Sequence, residues 1–246
     1  MRYFIKLAYK GTNYNGWQYQ PDAPSVQETL SKALSLLLKN EIEIVGAGRT
    51  DTGVHAKQMY AHFDFEQQID ISQLVHKLNS FLPINIVIFD IIKVSEQAHA
   101  RFDAQKRTYE YHINTFKNPF EQEGSWYYQL PLDIIKMNQA CKILFDYNDF
   151  ECFSKTNTDV RTFNCVIFDA NWKNYGDKLI FTISADRFLR NMVRAIVGTM
   201  INIGSGKIDL EGFRQIIESK DRNKAGFSVP AHGLYLTKIE YPYIEN

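Results

Sequence analysis

No stretch of this chain approaches the ~18 consecutive apolar residues of a membrane span, and Met1 to Tyr9 alternate in character instead of forming the apolar block of a secretory signal. Membrane insertion and secretion are therefore not expected. Cysteine is scarce. Cys141, Cys152 and Cys165 make an odd count with no CxxC spacing. That argues against a disulfide framework or a zinc site and fits a reducing, cytoplasmic setting. Net charge is also missing. Lys plus Arg and Asp plus Glu number 28 each, so bulk charge gives no nucleic-acid signal, and such a partner would need cations gathered on one face.

The 246 residues suffice for one large domain or two of about 120. With 45% hydrophobic and 23% charged residues the composition is that of an ordinary globular protein. Aromatics reach 14%, which suits sheet faces or stacking surfaces without choosing between them.

Tyr3 to Tyr9 reads as a strand. Ser25 followed by Glu28 is a capping-box pattern opening a helix, whose stripe is Val26, Leu30, Ala33, Leu34 and Leu37. Strands are expected at Ile42 to Val45, Met59 to Phe65 and Ile86 to Val94, with a helix from Asp70 to Asn79. This is βαββαβ order, the split ferredoxin-like unit. After a polar connection, His99 to Arg107, the order returns with larger loops. Strands fall at Arg107 to Ile113, Val166 to Trp172, Leu179 to Ala185 and Tyr235 to Tyr241. Helices fall at Leu132 to Phe145, from Arg187 with Asp186 as cap to about Ile203, and at Leu210 to Glu218. The expectation is an α+β protein of two ferredoxin-like halves, residues 1–104 and 105–246, joined side by side, with mainly antiparallel sheets and helices on one face.

The stretch Gly46 to Ala56 has the strongest chemical character. Its glycines let the backbone pass close to other groups, and it presents one acid, Asp51, two residues after Arg49. A single carboxylate lacks the partner that glycosidase chemistry needs. Asp51-Thr52-Gly53 also matches the aspartic-protease signature, but those enzymes share a proton between two aspartates. One copy here would require a homodimer, and a neighbouring cation opposes proton sharing. An ionised carboxylate beside a guanidinium suits nucleophilic attack better.

Read as helix, Arg187, Arg190 and Arg194 form one basic stripe, which is a solvated face, a phosphate-facing one or the source of an Arg reaching back to a catalytic acid. Arg107, Tyr109 and Tyr111 share a strand face, for packing or for stacking unpaired bases. His55 and His232 read as loop-ordering residues and His62 as solvent-facing.

Together these strings resemble the TruA-type tRNA pseudouridine synthases. Gly48 to Ala56 is similar to that family's active-site loop. His99-Ala100-Arg101-Phe102 with Arg107 to Tyr111 is similar to its tyrosine strand and the approach to it. Gly11 to Gln18, Phe188 to Arg194 and Pro230 to Leu236 match further signatures in the family's order. Lys10 and Thr52 depart from it, where Asp and Ala are common.

The resemblance implies isomerisation of uridine to pseudouridine at positions 38, 39 and 40 of tRNA, without cofactor or metal, by a cytoplasmic homodimer. It makes Asp51 the nucleophile, has Arg49 hold the displaced backbone or fill the vacated space, and has Tyr109 stack on the uracil. It pairs Arg194 with Asp51, and losing the partner of a buried charge typically costs ~3–5 kcal/mol. A basic cleft would draw on Arg49, Lys57, Arg101, Lys106, Arg107, Arg187 and Arg190. A non-catalytic RNA-binding module is the alternative. It needs only the cations and aromatics and gives the carboxylate no task.

Overall fold

The computed structural model describes residues 1–156 and 160–244. They form two compact units, one of Met1–Gln105 plus the chain from Tyr235 onward and one of Lys106–Leu234.

The first unit contains β1 (Arg2–Tyr9), α1 (Val26–Leu38), β2 (Val45–Gly46), β3 (His55–Asp64), α2 (Ile71–Phe81) and β4 (Ile86–Val94). β1 is central. Its Phe4 lies opposite His62 of β3 on one side and Ile92 of β4 on the other, both antiparallel. β2 adds to the far side of β3, giving the order β4-β1-β3-β2 with a helix after β1 and after β3, the split βαβ arrangement. β9 (Leu234–Glu240) runs parallel to β3 along His55 and Ala56. The core is built from Phe4, Ile5, Leu7, Leu30, Leu34, Met59 and Tyr60, all fully buried.

Side-chain caps set the helix starts. The Ser25 hydroxyl accepts from Glu28 N at 3.2 Å and Asp70 accepts from Gln73 N at 3.0 Å, each worth about 1 kcal/mol. The Glu28 carboxylate turns to Lys32, 2.6 Å away.

The expected strand at Ile42 to Val45 is largely replaced by an irregular approach to the short β2. Its backbone groups are claimed by α1 side chains. Ser31 donates to Ile42 O, Ile42 N donates to Ser35 Oγ at 2.8 Å, and Gln27 donates to Ile44 O at 2.8 Å. His62 is buried, not solvent-facing. Its Nδ1 accepts from Ala100 N at 3.2 Å.

The second unit contains β5 (Lys106–Asn114), β6 (Trp126–Tyr127), α3 (Ile134–Ile143), β7 (Ile167–Tyr175), β8 (Lys178–Ala185), α4 (Met192–Gly204) and α5 (Leu210–Ser219). β8 lies between β5 and β7 and is antiparallel to both. The architecture is thus α+β with mainly antiparallel sheet. The three cysteines are unpaired and buried in this unit, and burial pushes each thiol up to about 12. Among the described residues no helix is long and apolar enough to cross a membrane.

α4 begins five residues later than the arginine spacing predicts. All but Arg194 and Asn202 of its residues are buried. A helix enclosed nearly all round offers no solvated face for Arg187 and Arg190. Those two stay outside it, in an irregular segment that ends at Asn191, which sits in the left-handed region at φ 69°. Asp186 does not cap α4. Its Oδ1 accepts from Val166 N and Arg187 N, both at 2.7 Å, and so ties that segment to the start of β7.

Candidate active site

Asp51 sits half-buried between β2 and β3, and β3 reaches back as far as His55. The loop bearing the acid is therefore short, and a second loop, Gly11 to Trp17, clamps it. Gly53 N donates to Tyr14 O at 3.3 Å, and Trp17 N donates to Thr50 O at 3.4 Å. Gly11 N donates to the imidazole Nδ1 of buried His55 at 3.0 Å. Within the loop Val54 N closes a turn onto Asp51 O at 3.1 Å. The hydroxyls of Tyr9 and Thr50 lie 2.9 Å apart in a further hydrogen bond.

This fit explains two glycines. Gly16 has φ +88°, and a Cβ there would lie 2.2 Å from Thr50 O. A Cβ on Gly11 would lie 2.0 Å from Val54 O. Two backbones can approach so closely only where no side chain intervenes. Gly48, by contrast, has open space around it. The signal for the clamp was present in the Gly- and aromatic-rich composition of residues 11–17. The pairing of that loop with residues 50–55 was not, because it spans about forty residues.

Around the acid, Arg49 is exposed. Lys57 is exposed too, with its ammonium 5.1 Å above the Tyr235 ring, on which His55 also stacks at 4.7 Å. Arg101 lies in the loop after β4. Asp51, Arg49, Lys57 and Arg101 thus belong to the first unit, and Lys106, Arg107, Tyr109, Arg187, Arg190 and Arg194 to the second.

In the second unit Arg194 is the cation built into α4. Its Nε donates to Val229 O at 2.7 Å. The segment that supplies this carbonyl is pinned in turn. Gly226 N donates to Thr199 Oγ1 at 2.8 Å, and Arg222 donates to Gly226 O and Ser228 Oγ at 3.0 and 2.9 Å. Asn191 donates to the same Ser228 hydroxyl at 2.7 Å. A Cβ on Gly198 would lie 1.8 Å from Phe227 O, so α4 and this segment touch backbone to backbone. Tyr111 donates its hydroxyl to the next carbonyl, Pro230 O, at 2.8 Å, and burial raises its pKa strongly. Tyr109, two residues earlier on β5, is half-buried and meets Phe188 edge to face at 5.1 Å. Arg107 donates to Asp186 O at 2.7 Å and so holds the segment carrying Arg187 and Arg190, whose own carbonyl accepts from Lys155 N at 3.0 Å. His232 lies in the turn before β9, where burial lowers its pKa.

The family model described as tRNA pseudouridine synthase matches residues 6–103 and 140–242. Among curated relatives, tRNA pseudouridine synthase A of Parabacteroides distasonis is 54% identical over 98% of this chain and 96% of its own length. The protein of that name from Bacteroides thetaiotaomicron is 52% identical over 98% of this chain and 91% of its own. That from Thermoanaerobacter sp. is 41% identical over 96% of this chain and 98% of its own. A match that takes in both the clamped acid loop and the arginine helix, with relatives similar from end to end, places this chain in the tRNA pseudouridine synthase family.

Proposed function

We propose that this isomerase converts uridine to pseudouridine at positions 38, 39 and 40 of the tRNA anticodon stem-loop, with Asp51 as nucleophile. The supporting observation is the clamp. Trp17 N donates to Thr50 O ahead of Asp51 and Gly53 N donates to Tyr14 O beyond it, so the carboxylate is carried on a preorganised support. The chemistry is balanced without water, metal or oxidant. The bond from uracil N1 to C1′ breaks, a bond from C5 to C1′ forms, C5 loses a proton and N1 gains one. A carboxylate that adds covalently to the nucleoside and later departs divides this into two easier steps.

Within this reading Tyr109 stacks on the uracil once the nucleotide has left its helix stack, and Arg49 occupies or holds the vacated position. Arg194 is the cation that pairs with the nucleophile. The fixed Nε of Arg194 supports that role, because a guanidinium held along one edge keeps its orientation. The protein acts as a cytoplasmic homodimer, whose cleft gathers Lys57, Arg101, Arg107, Arg187 and Arg190 around the tRNA phosphates of a neutral chain.

The test is mass-spectrometric mapping of pseudouridine in a tRNA transcript with uridines at those three positions. Wild type is expected to modify them, and Asp51→Asn is expected to bind the transcript within about threefold of wild type and to form product at least ~10³-fold more slowly. Modification elsewhere in the tRNA would refute the assignment of position, and turnover by Asp51→Asn near wild type would remove Asp51 from its role.

A further inference from the structure

The loop that joins β4 to β5 holds an aromatic residue outward on an unusually complete set of hydrogen bonds. His99 N donates to Asp103 Oδ2 at 2.8 Å, and Asp103 N returns to His99 O at 3.0 Å. Ala100 N donates to His62 Nδ1, and Arg101 N and Phe102 N both donate to His99 Nδ1, at 3.1 and 3.3 Å. Two tyrosines from the end of the chain close the frame. Tyr241 donates to Ala100 O at 2.5 Å and Tyr243 to Asp103 Oδ2 at 2.8 Å. Five successive backbone N–H groups are thereby satisfied within the loop or by its support, so its backbone has little reason to rearrange.

The side chains that this frame presents are Arg101 and Phe102. The three rings of His62, His99 and Phe102 form a column. His62 and His99 meet edge to face at 4.7 Å, and Phe102 lies on His99 at 4.2 Å. The inner ring is 5% exposed, whereas Phe102 at the outer end is 74% exposed. The Arg101 guanidinium lies 5.7 Å from the centre of the Phe102 ring. Burial would be the ordinary fate of a phenylalanine. Here rigid packing beneath the ring keeps it in water beside a cation.

We propose that Phe102 is a stacking platform for an unpaired base of the tRNA substrate, with Arg101 engaging the adjoining phosphate. A flat ring held against solvent next to a guanidinium is the combination that recognises single-stranded nucleic acid independently of sequence. The proposal rests on the tRNA-isomerase reading for the identity of its ligand and adds a contact outside the Asp51 loop.

The test compares wild type, Phe102→Trp, Phe102→Leu and Phe102→Ala for tRNA-transcript affinity by filter binding, for kcat at saturating tRNA, and for sedimentation velocity. Base–aromatic stacking of about 1–3 kcal/mol corresponds to a roughly 5- to 150-fold rise in Kd. That rise is expected for Ala and Leu with kcat within about twofold, while Trp binds as wild type does. Leu keeps an apolar contact with His99 but has no π face, so a loss in Leu with unchanged thermal stability reports stacking and not unfolding. Affinity in Leu and Ala equal to wild type overturns the proposal. So does a loss of self-association with RNA affinity intact, which would assign Phe102 to a protein contact. If wild type binds the transcript but forms no pseudouridine, the isomerase reading fails while the affinity series still scores the platform. If pseudouridine forms and the series is flat, the platform alone fails.

Discussion

The loop that carries Asp51 and the segment that anchors Arg194 are both held still, but by different means. Around the acid much of the restraint is backbone against backbone. Tyr14 and Trp17 contribute peptide groups, the Trp17 indole also packs against Gly46, and the close approach of the two backbones is made at Gly11 and Gly16. Around the arginine, side chains carry much of the load. Arg222, Asn191, Thr199 and Tyr111 each fix a point on residues 226–230, and Arg194 then bonds to the carbonyl of Val229. The first arrangement suits the nucleophilic role proposed for Asp51, because peptide contacts have no rotamers to exchange. The second leaves an arginine whose stem is set by its helix and whose Nε is tied to Val229 O.

The most damaging way to break this contrast is Gly16→Ala. The new methyl would meet Thr50 O at 2.2 Å in a backbone at φ +88°, so the acid loop must move. Displacement of about 1 Å at a reacting group can cost ~10²-fold in rate. That loss in kcat is expected with a lowered Tm, both read on the purified variant. Gly48→Ala, three residues before Asp51 but in open space, is expected to leave unfolding free energy within about 0.5 kcal/mol of wild type. Equal effects from the two would mean that the clamp does not position the loop.

Acidification probes the frame behind the acid-bearing unit. His62 is held down to about 4 from 6.5, first by burial and then by the positive charges of Arg2 and His99, against the opposing pull of Asp64 and Asp103. The unfolded chain therefore binds the proton more readily. The contribution of His62 to stability is fully present above about pH 6.5 and is lost as pH falls toward about 4. The loss amounts to about 3 kcal/mol. Urea denaturation at a series of pH values should show that decline, and His62→Asn should flatten it. A decline of equal steepness in the variant would move the cause elsewhere.

On the arginine side, Gly198→Ala forces a methyl to 1.8 Å from Phe227 O and should lower stability by about 1–3 kcal/mol in the same denaturation assay. Because Val229 lies two residues further on, kcat should fall with it. Stability lost with kcat unchanged would separate that segment from the role proposed for Arg194. The smallest effect is expected from Tyr9→Phe, which removes one hydrogen bond to Thr50 at 2.9 Å. About 1 kcal/mol, or a factor of about five in kcat, is the scale of such a bond.

Much of the scaffold was legible because its signals are local. Ser25 and Asp70 cap the helices they were expected to open, and the β-branched run at Ile86 to Val94 is a strand over those same residues. What failed depended on distant partners. The spacing of Arg187, Arg190 and Arg194 fits a helix, but burial of α4 on nearly every side excludes the first two from it. Ile42 and Ile44 look like strand residues, yet α1 side chains take their backbone groups. His62 looked exposed because nothing near it in the sequence announces Ala100 and His99, to which it is bound and packed. At the site itself Asp51 stood out by its own loop, whereas the fixing of that loop by residues 11–17 could be seen only in the fold.

The most direct test of the central claim, that a clamped Asp51 carboxylate performs the isomerisation, is single-turnover release of tritium from tRNA labelled at uracil C5, with enzyme in excess and all tRNA bound. Wild type is expected to release tritium rapidly and Asp51→Asn to release none above background. Release by Asp51→Asn at the wild-type rate would contradict the claim.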